Sequence, residues 1–243
     1  MESKNTKKRG TSDIVYKSLK NEILHLQLLP GSAVSEIETS NKYNVSRTPV
    51  RDAFKALASE GLLEVVPHVG TFVSYIDIRE ISDILFLREV VEQAVLRILA
   101  TTYTQAQILK IRLALNEQQK LISQMPTFTP EAQKEAGARF LVLDNQFHEL
   151  LFSLAGKKKI WDMLVNSNPQ YERFRALLNV GNPETMNSLY AAHCELVETI
   201  IQKDMDKLQQ LISNHIYGGF SENADIVLQN SSYFTQTPEE DSY

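Results

Sequence analysis

The sequence predicts a mainly α protein in two parts: three helices with a β-hairpin at the N-terminus, followed by an all-α helical bundle. Three observations carry this. The 243 residues amount to about one and a half typical domains. Apolar positions recur at helical spacing almost throughout, and β-like alternation is confined to residues 63–74. With 43% hydrophobic and 23% charged residues, and Gly and Pro at 9 and 8, the composition excludes a collagen-like or wholly disordered chain.

Residues 1–10 are polar, basic and aperiodic, and are expected to form a flexible arm. Ser12 can cap a first helix whose apolar positions are Val15, Leu19, Ile23 and Leu26, ending by Pro30-Gly31. Ser35 and Glu38 have the spacing of a capping box, opening a short second helix that ends near Tyr43. A tight turn at Asn44-Val45 follows. Ser46 is the expected N-cap of a third helix, where Pro49 falls in the first turn and loses no intrahelical bond. Val50, Ala53, Phe54 and Leu57 form its inner stripe, and Gly61 stops it. Two short strands, 63–67 and 70–74, are joined at His68-Val69 as a hairpin wing. From Asp77 the pattern predicts helices over about 78–102, 104–124, 130–155, 159–179, 184–203 and 205–228. Residues 229–243 are expected to be a flexible tail. The expected division is therefore arm 1–10, hairpin-bearing domain 11–75, bundle 76–228 and tail 229–243.

Charge and histidine are unevenly spread. Residues 1–75 hold ten Lys/Arg and eight Asp/Glu, net +2, whereas residues 76–243 hold fifteen and twenty-two, net −7, together giving the formal −5. Cys194 is the single cysteine and cannot form an internal disulfide. The N-terminal MESKNTKKRG lacks a signal-peptide core, and no apolar run reaches the ~20 residues that cross a bilayer. A cytoplasmic protein without membrane attachment is expected.

On the third helix, Arg47, Thr48, Arg51 and Lys55 fall on the outer side. Backbone amides and Thr can bind phosphate there, and Arg can fork onto guanine in a major groove. A merely solvated helix face would look the same. The string VSRTPVRDAFKALASEGLLEVVPHVGTFV, with LLPGSAVSEIETSNKYN before it, resembles the winged helix-turn-helix of the GntR family of bacterial transcription regulators. The resemblance covers residues 12–75. It implies that Arg47, Thr48 and Arg51 contact DNA and that Gly70 lets the wing tip, with His68, approach the minor groove. Ile37 stands where some members carry an Arg.

In the bundle, polar groups interrupt apolar stripes. Asp144 and His148 adjoin the face of Phe140, Leu143, Phe147, Leu151 and Leu154; His193 sits among Leu189, Leu196 and Ile200; His215 follows Leu208, Leu211 and Ile212. A buried carboxylate requires a countercharge that neutral imidazoles cannot supply and a divalent cation can. Three nitrogens and one oxygen suit Zn²⁺, Ni²⁺ or Mn²⁺ better than Ca²⁺. The segments LDNQFHELLF, AHCELVETIIQKDMDKL and ISNHIYGGF, preceded by FLREVVEQAVLRILA, resemble the FadR-type effector-binding (FCD) domain found behind many GntR winged helices. That resemblance implies Asp144, His148, His193 and His215 as metal ligands, with a bound small carboxylate completing the coordination. It also implies Arg88 as an effector contact; Arg173 and Arg175, on the YERFR segment, are further candidates that would equally suit a charged surface.

The expected function is a homodimeric repressor that binds a palindromic double-stranded operator and responds to a carboxylate effector, not an enzyme. Two alternatives stay open: a metal-dependent hydrolase-like enzyme, and a regulator whose metal is purely structural.

Overall fold

A computed structural model describes residues 2–166, 168–179 and 182–235. The chain forms two compact units, one of residues up to Ile78 together with the C-terminal segment from Gln229, the other Arg79–Leu228.

The first unit is built on α1 (Glu2–Leu24), α2 (Glu36–Lys42) and α3 (Arg47–Ser59), with β1 (Leu63–Val66) antiparallel to β2 (Gly70–Val73). Val15, Leu19 and Ile23 of α1 meet Val50, Ala53, Phe54 and Leu57 of α3 in one core with Leu62, Leu63 and Val73. α1 starts at Glu2 rather than Ser12, taking in the residues expected to form an arm. Lys, Arg and Glu favour helix without apolar periodicity, so that extension leaves no stripe to read. Ser12 does not cap; its Oγ donates to the Pro49 carbonyl at 3.2 Å and ties α1 to α3.

Ser35 caps α2, accepting from the amides of Ile37 and Glu38. Asn44 is left-handed in the turn to α3. Ser46 occupies the N-cap position of α3 but makes no capping hydrogen bond. Gly61 (φ 70) ends α3, with the Leu62 amide reaching back to the Leu57 carbonyl at 2.9 Å. The wing turn is closed by Val69 N–H to the Val66 carbonyl at 3.1 Å. Its left-handed residue is His68 (φ 63). Backbone of Gly31–Val34 adds a third line of pairing along β2, through Gly31 N–H to Val73 O at 2.8 Å and Val34 N–H to Thr71 O at 2.8 Å.

The C-terminal segment is paired rather than frayed as far as Thr235. Ile76 N–H donates to Tyr233 O at 2.9 Å, Thr235 N–H donates to Ile76 O at 3.0 Å, and Phe234 is buried. The rest of the expected tail, 236–243, lies outside the described residues.

The second unit contains α4 (Ile78–Thr102), whose first residue belongs to the other unit, and then α5 (Gln105–Gln124), α6 (Pro130–Leu154), α7 (Lys158–Asn166), α8 (Pro169–Asn179), α9 (Pro183–Gln202), α10 (Met205–Glu222) and α11 (Ala224–Gln229). The helix expected over 159–179 is two. Pro169 disfavours helix at the residue before it, and Asn168 Oδ1 accepts the Tyr171 amide at 2.8 Å to start α8. α10 likewise stops at Glu222, and α11 is a separate short helix. α5 packs on α6 and α9, α9 on α10, and α6 on α7 and α8. Lys203 (φ 59) closes α9 in the left-handed region, and Asp204 caps α10 through the Lys207 amide at 3.0 Å.

Candidate functional site

α6, α9 and α10 bring His148, His193 and His215 together, with ligand nitrogens all within 4.8 Å of one another. Hydrogen bonding assigns the ring nitrogens. His193 Nδ1 lies 3.0 Å from Gln118 Oε1, an oxygen that can only accept, so Nδ1 carries the proton and Nε2 keeps its lone pair. His148 Nδ1 lies 2.8 Å from Glu92 Oε2, near enough for an ion pair though off the line of the ring N–H. His148 Nε2 then faces His215 Nε2 at 3.2 Å. His193 Nε2 is buried with no hydrogen-bond partner. Phe147 stacks on His193 at 4.3 Å and Trp161 on His148 at 5.8 Å, fixing both rings.

Burial and the neighbouring His215 hold His193 well below the usual imidazole range. Burial and His148 lower His215 to about 3, although its edge opens on the cavity. Both are neutral at pH 7, the form that can bind a metal ion. Tetrahedral bonds of 2.0–2.1 Å would space donor atoms by about 3.4 Å. The 3.2 Å between His148 and His215, and the 3.4 Å from His193 Nε2 to Asp144 Oδ1, fit that spacing. The donor set can hold a divalent transition metal.

Asp144 stands differently from the sequence expectation. Its carboxylate is 3.4 Å from His193 and 3.9 Å from His148, yet it falls outside the close group of three imidazoles. It already has a countercharge: Arg175 Nη2 donates to its Oδ2 at 2.5 Å. Burial alone would raise its pKa, but Arg175 and the surrounding imidazoles hold it well below the carboxylate range. A cation is therefore not needed to account for a buried Asp144, and the argument for metal rests on the imidazoles.

A cavity of about 260 Å³ opens beside these groups, lined by Arg88, Asp144, Tyr171, Arg175 and His215 among others. Arg88 donates through Nε to Glu92 Oε1 at 2.7 Å and through Nη1 to the Tyr171 hydroxyl. Against the cost of burial, Arg88 and His148 hold Glu92 at about 2, too weak a base to activate water at neutral pH. Arg173 is not among the cavity residues; it is fully buried and donates to Gln170. Two positions apart on a helix is about 200°, so Arg175 and Arg173 cannot both face the cavity.

Glu92 and Gln118 were not foreseen. Both interrupt buried stripes, Ile84-Arg88-Glu92-Val95-Leu99 and Ile108-Ile111-Leu115-Gln118-Ile122. That is the same signal that marks the histidines, a polar residue within an apolar stripe. Cys194 is half-buried rather than buried.

In the first unit Arg47, Thr48, Arg51 and Lys55 are all exposed on α3. Arg51 is tethered, its Nε donating to Glu36 Oε2 at 2.8 Å. His68 and Gly70 are exposed at the wing.

Residues 11–73 match the family described as bacterial regulatory proteins, gntR family, and residues 83–218 match the FCD domain. The HTH-type transcriptional repressor RspR of Escherichia coli K12 is 29% identical over 91% of this chain and 92% of its own length. An HTH-type transcriptional regulator in an unstable DNA locus of Streptomyces ambofaciens is 30% identical over 86% and 83%. Solved structures of McbR/YncC from Escherichia coli and of a GntR regulator from Rhodococcus sp. RHA1 share the fold. Both have a TM-score of 0.63, at 17% and 20% identity, covering 91% and 89% of this chain and 98% and 97% of theirs. No helix among the described residues is long and apolar enough to cross a membrane. A winged helix with an arginine-bearing third helix, followed by an FCD bundle, places the chain in the GntR family of bacterial DNA-binding transcription regulators, in its FadR-type branch, and not among enzymes.

Proposed function

We propose that the protein is a homodimeric repressor whose operator affinity is set by a small carboxylate bound at a divalent-metal site in its FCD unit. Three clustered imidazoles, those of His148 and His193 buried and that of His215 at the edge of the arginine-lined cavity, support this reading above all. His148, His193 and His215 would hold the ion, with Asp144 as fourth ligand. Zn²⁺ suits the nitrogen-rich set best, with Ni²⁺ and Mn²⁺ as the other candidates. The ion would supply a positive centre for the effector carboxylate, and Arg88 and Arg175 would orient that group through their forked guanidinium ends.

Arg47, Thr48, Arg51 and Lys55 would read and grip the major groove, with His68 and Gly70 at the minor groove. A second copy is favoured by the outer side of α4, where Phe86 and Val90 are 63% and 50% exposed one turn apart. Two-fold pairing would let two short recognition helices read a palindrome. The Escherichia coli relative is named a repressor.

Elemental analysis of purified wild-type protein and of His193→Ala should show metal in the first only; equal content refutes the site. Arg51→Ala should abolish operator protection in a footprint, and unchanged protection refutes the recognition helix. A carboxylate panel should raise the melting temperature of Zn²⁺-loaded but not chelator-treated protein. An equal response in both states would leave the ion a structural role.

A further inference from the structure

The segment after α11 leaves the bundle and pairs with the stretch that joins the wing to α4. Ile76 is fully buried, and its N–H and C=O are both taken by this segment, at Tyr233 O (2.9 Å) and Thr235 N (3.0 Å). The pairing is parallel, Ile76 opposite Phe234. Phe234 is 6% exposed. This is strand addition to an open backbone edge, in which main-chain bonds hold the peptide and a buried side chain fixes its register. Here the occupant is the chain's own C-terminal segment.

We propose that this contact is a clasp through which the state of the FCD bundle reaches the DNA-reading unit. The chain passes between the two units twice, at Ile78–Arg79 and at Leu228–Gln229. The second passage follows α10, the helix that carries His215, and is separated from it only by Asn223 and the short helix α11. A segment hanging free would transmit nothing. Paired at Ile76, it ties the chain that leaves the bundle after α11 to the wing-to-α4 connection, so a displacement of α10 can reach that connection along the chain from its C-terminal side as well as through α4. Coupling of this kind needs a difference between bound and free states of one shared element; the clasped segment is that element. The part of the proposal that concerns ligand state rests on the metal reading given above, whereas the clasp itself does not.

Two variants in the full-length chain separate these parts. Phe234→Asp removes the buried anchor. Thr235→Pro removes the N–H that bonds Ile76 while keeping Phe234, whose φ of −102 and ψ of 151 suit a residue before proline. Neither residue lies in a helix or strand of either unit, so both variants should keep wild-type far-ultraviolet circular dichroism. In calorimetry of metal-free protein, the wild type should melt in one transition and both variants in two. Variants that keep a single transition, or a wild type that already shows two, overturn the clasp. Hydrogen exchange with and without Zn²⁺ then reads transmission. In the wild type Zn²⁺ should slow exchange in peptides of α10 and also in peptides of α3 and Ile76; in the variants only the α10 peptides should slow. Slowing confined to α10 in the wild type overturns transmission. No slowing in any peptide overturns the metal reading and with it transmission by Zn²⁺, leaving calorimetry to decide the clasp.

Discussion

Replacing Arg175 with Met tests the electrostatics of the site most directly. The Asp144–Arg175 pair is buried, with side chains 4% and 9% exposed, and removing one member of such a pair leaves an uncompensated charge costing about 3–5 kcal/mol. The loss has a ceiling, because Asp144 can escape by taking a proton. Its ordinary pKa is 3.8, and protonation costs about 1.4 kcal/mol for each unit of pH above that, or about 4 kcal/mol at pH 7. For a unit of this size that is roughly 8–16 °C in melting temperature. The sign of the pH dependence follows. In the wild type Asp144 is held below 3.8, so its contribution is present above that value and lost as pH falls through the folded value. In Arg175→Met burial holds Asp144 above 3.8; the folded state then binds a proton the unfolded state has released, and the variant loses stability as pH rises. The gap between the two proteins should narrow to under about 2 kcal/mol at pH 5. Urea unfolding of chelator-treated full-length protein at pH 5 and pH 7 measures it. A gap below about 1 kcal/mol at pH 7, the size expected of an exposed pair, or an equal gap at both pH values, would refute the reasoning. Saturating Zn²⁺ should recover part of the loss if Asp144 also faces the ion.

Glu92→Gln keeps the shape but weakens the hold on His148 and Arg88, and should lower Zn²⁺ affinity about 10- to 100-fold in a chelator competition; unchanged affinity would remove Glu92 from the site. Chelator-treated protein should lose stability as pH falls below 6.5. The unfolded chain then binds protons that His193, held well below the usual range, and His215, at about 3, do not take up, at up to about 1.4 kcal/mol per pH unit for each of the two rings. Equal urea midpoints at pH 7.5 and 5.5 would contradict this. Gly31→Ala should destabilise the first unit by about 1–3 kcal/mol, because Gly31 is left-handed (φ 78) and an added Cβ would meet the Tyr75 hydroxyl at 2.8 Å. A melting temperature within a degree of wild type would count against that geometry.

Much of this was legible in the residues. Apolar spacing located α4, α5 and α6 to within a residue or so, because long amphipathic helices repeat their signal over many turns. The turns at Asn44 and Gly61 were legible from local chemistry. The break at Asn168–Pro169 was missed because apolar residues flank it on both sides at helical spacing. The histidines were found because each interrupts an apolar stripe. Which acid balances which base was not legible, since Arg175 meets Asp144 from another helix 31 positions away, and no local pattern encodes that meeting. The C-terminal pairing was invisible for a related reason: a polar segment with one anchoring phenylalanine reads as a tail until its partner edge is known.

The left-handed close at Lys203 has an implication for how the protein can change. His193 lies ten positions before it and His215 twelve after, so the two helices run back along each other for nearly equal distances, about 15–18 Å at 1.5 Å per residue, and deliver both rings to one level. The hairpin acts as a caliper. Losing one residue between Leu196 and Lys203, or between Met205 and Ile212, would turn one ring away by about 100° and shift it by about 1.5 Å. Among descendants of this chain, point substitutions along the outer faces of α9 and α10 should be freely exchanged. Single-residue insertions and deletions within those spans should be found only together with loss of the imidazoles.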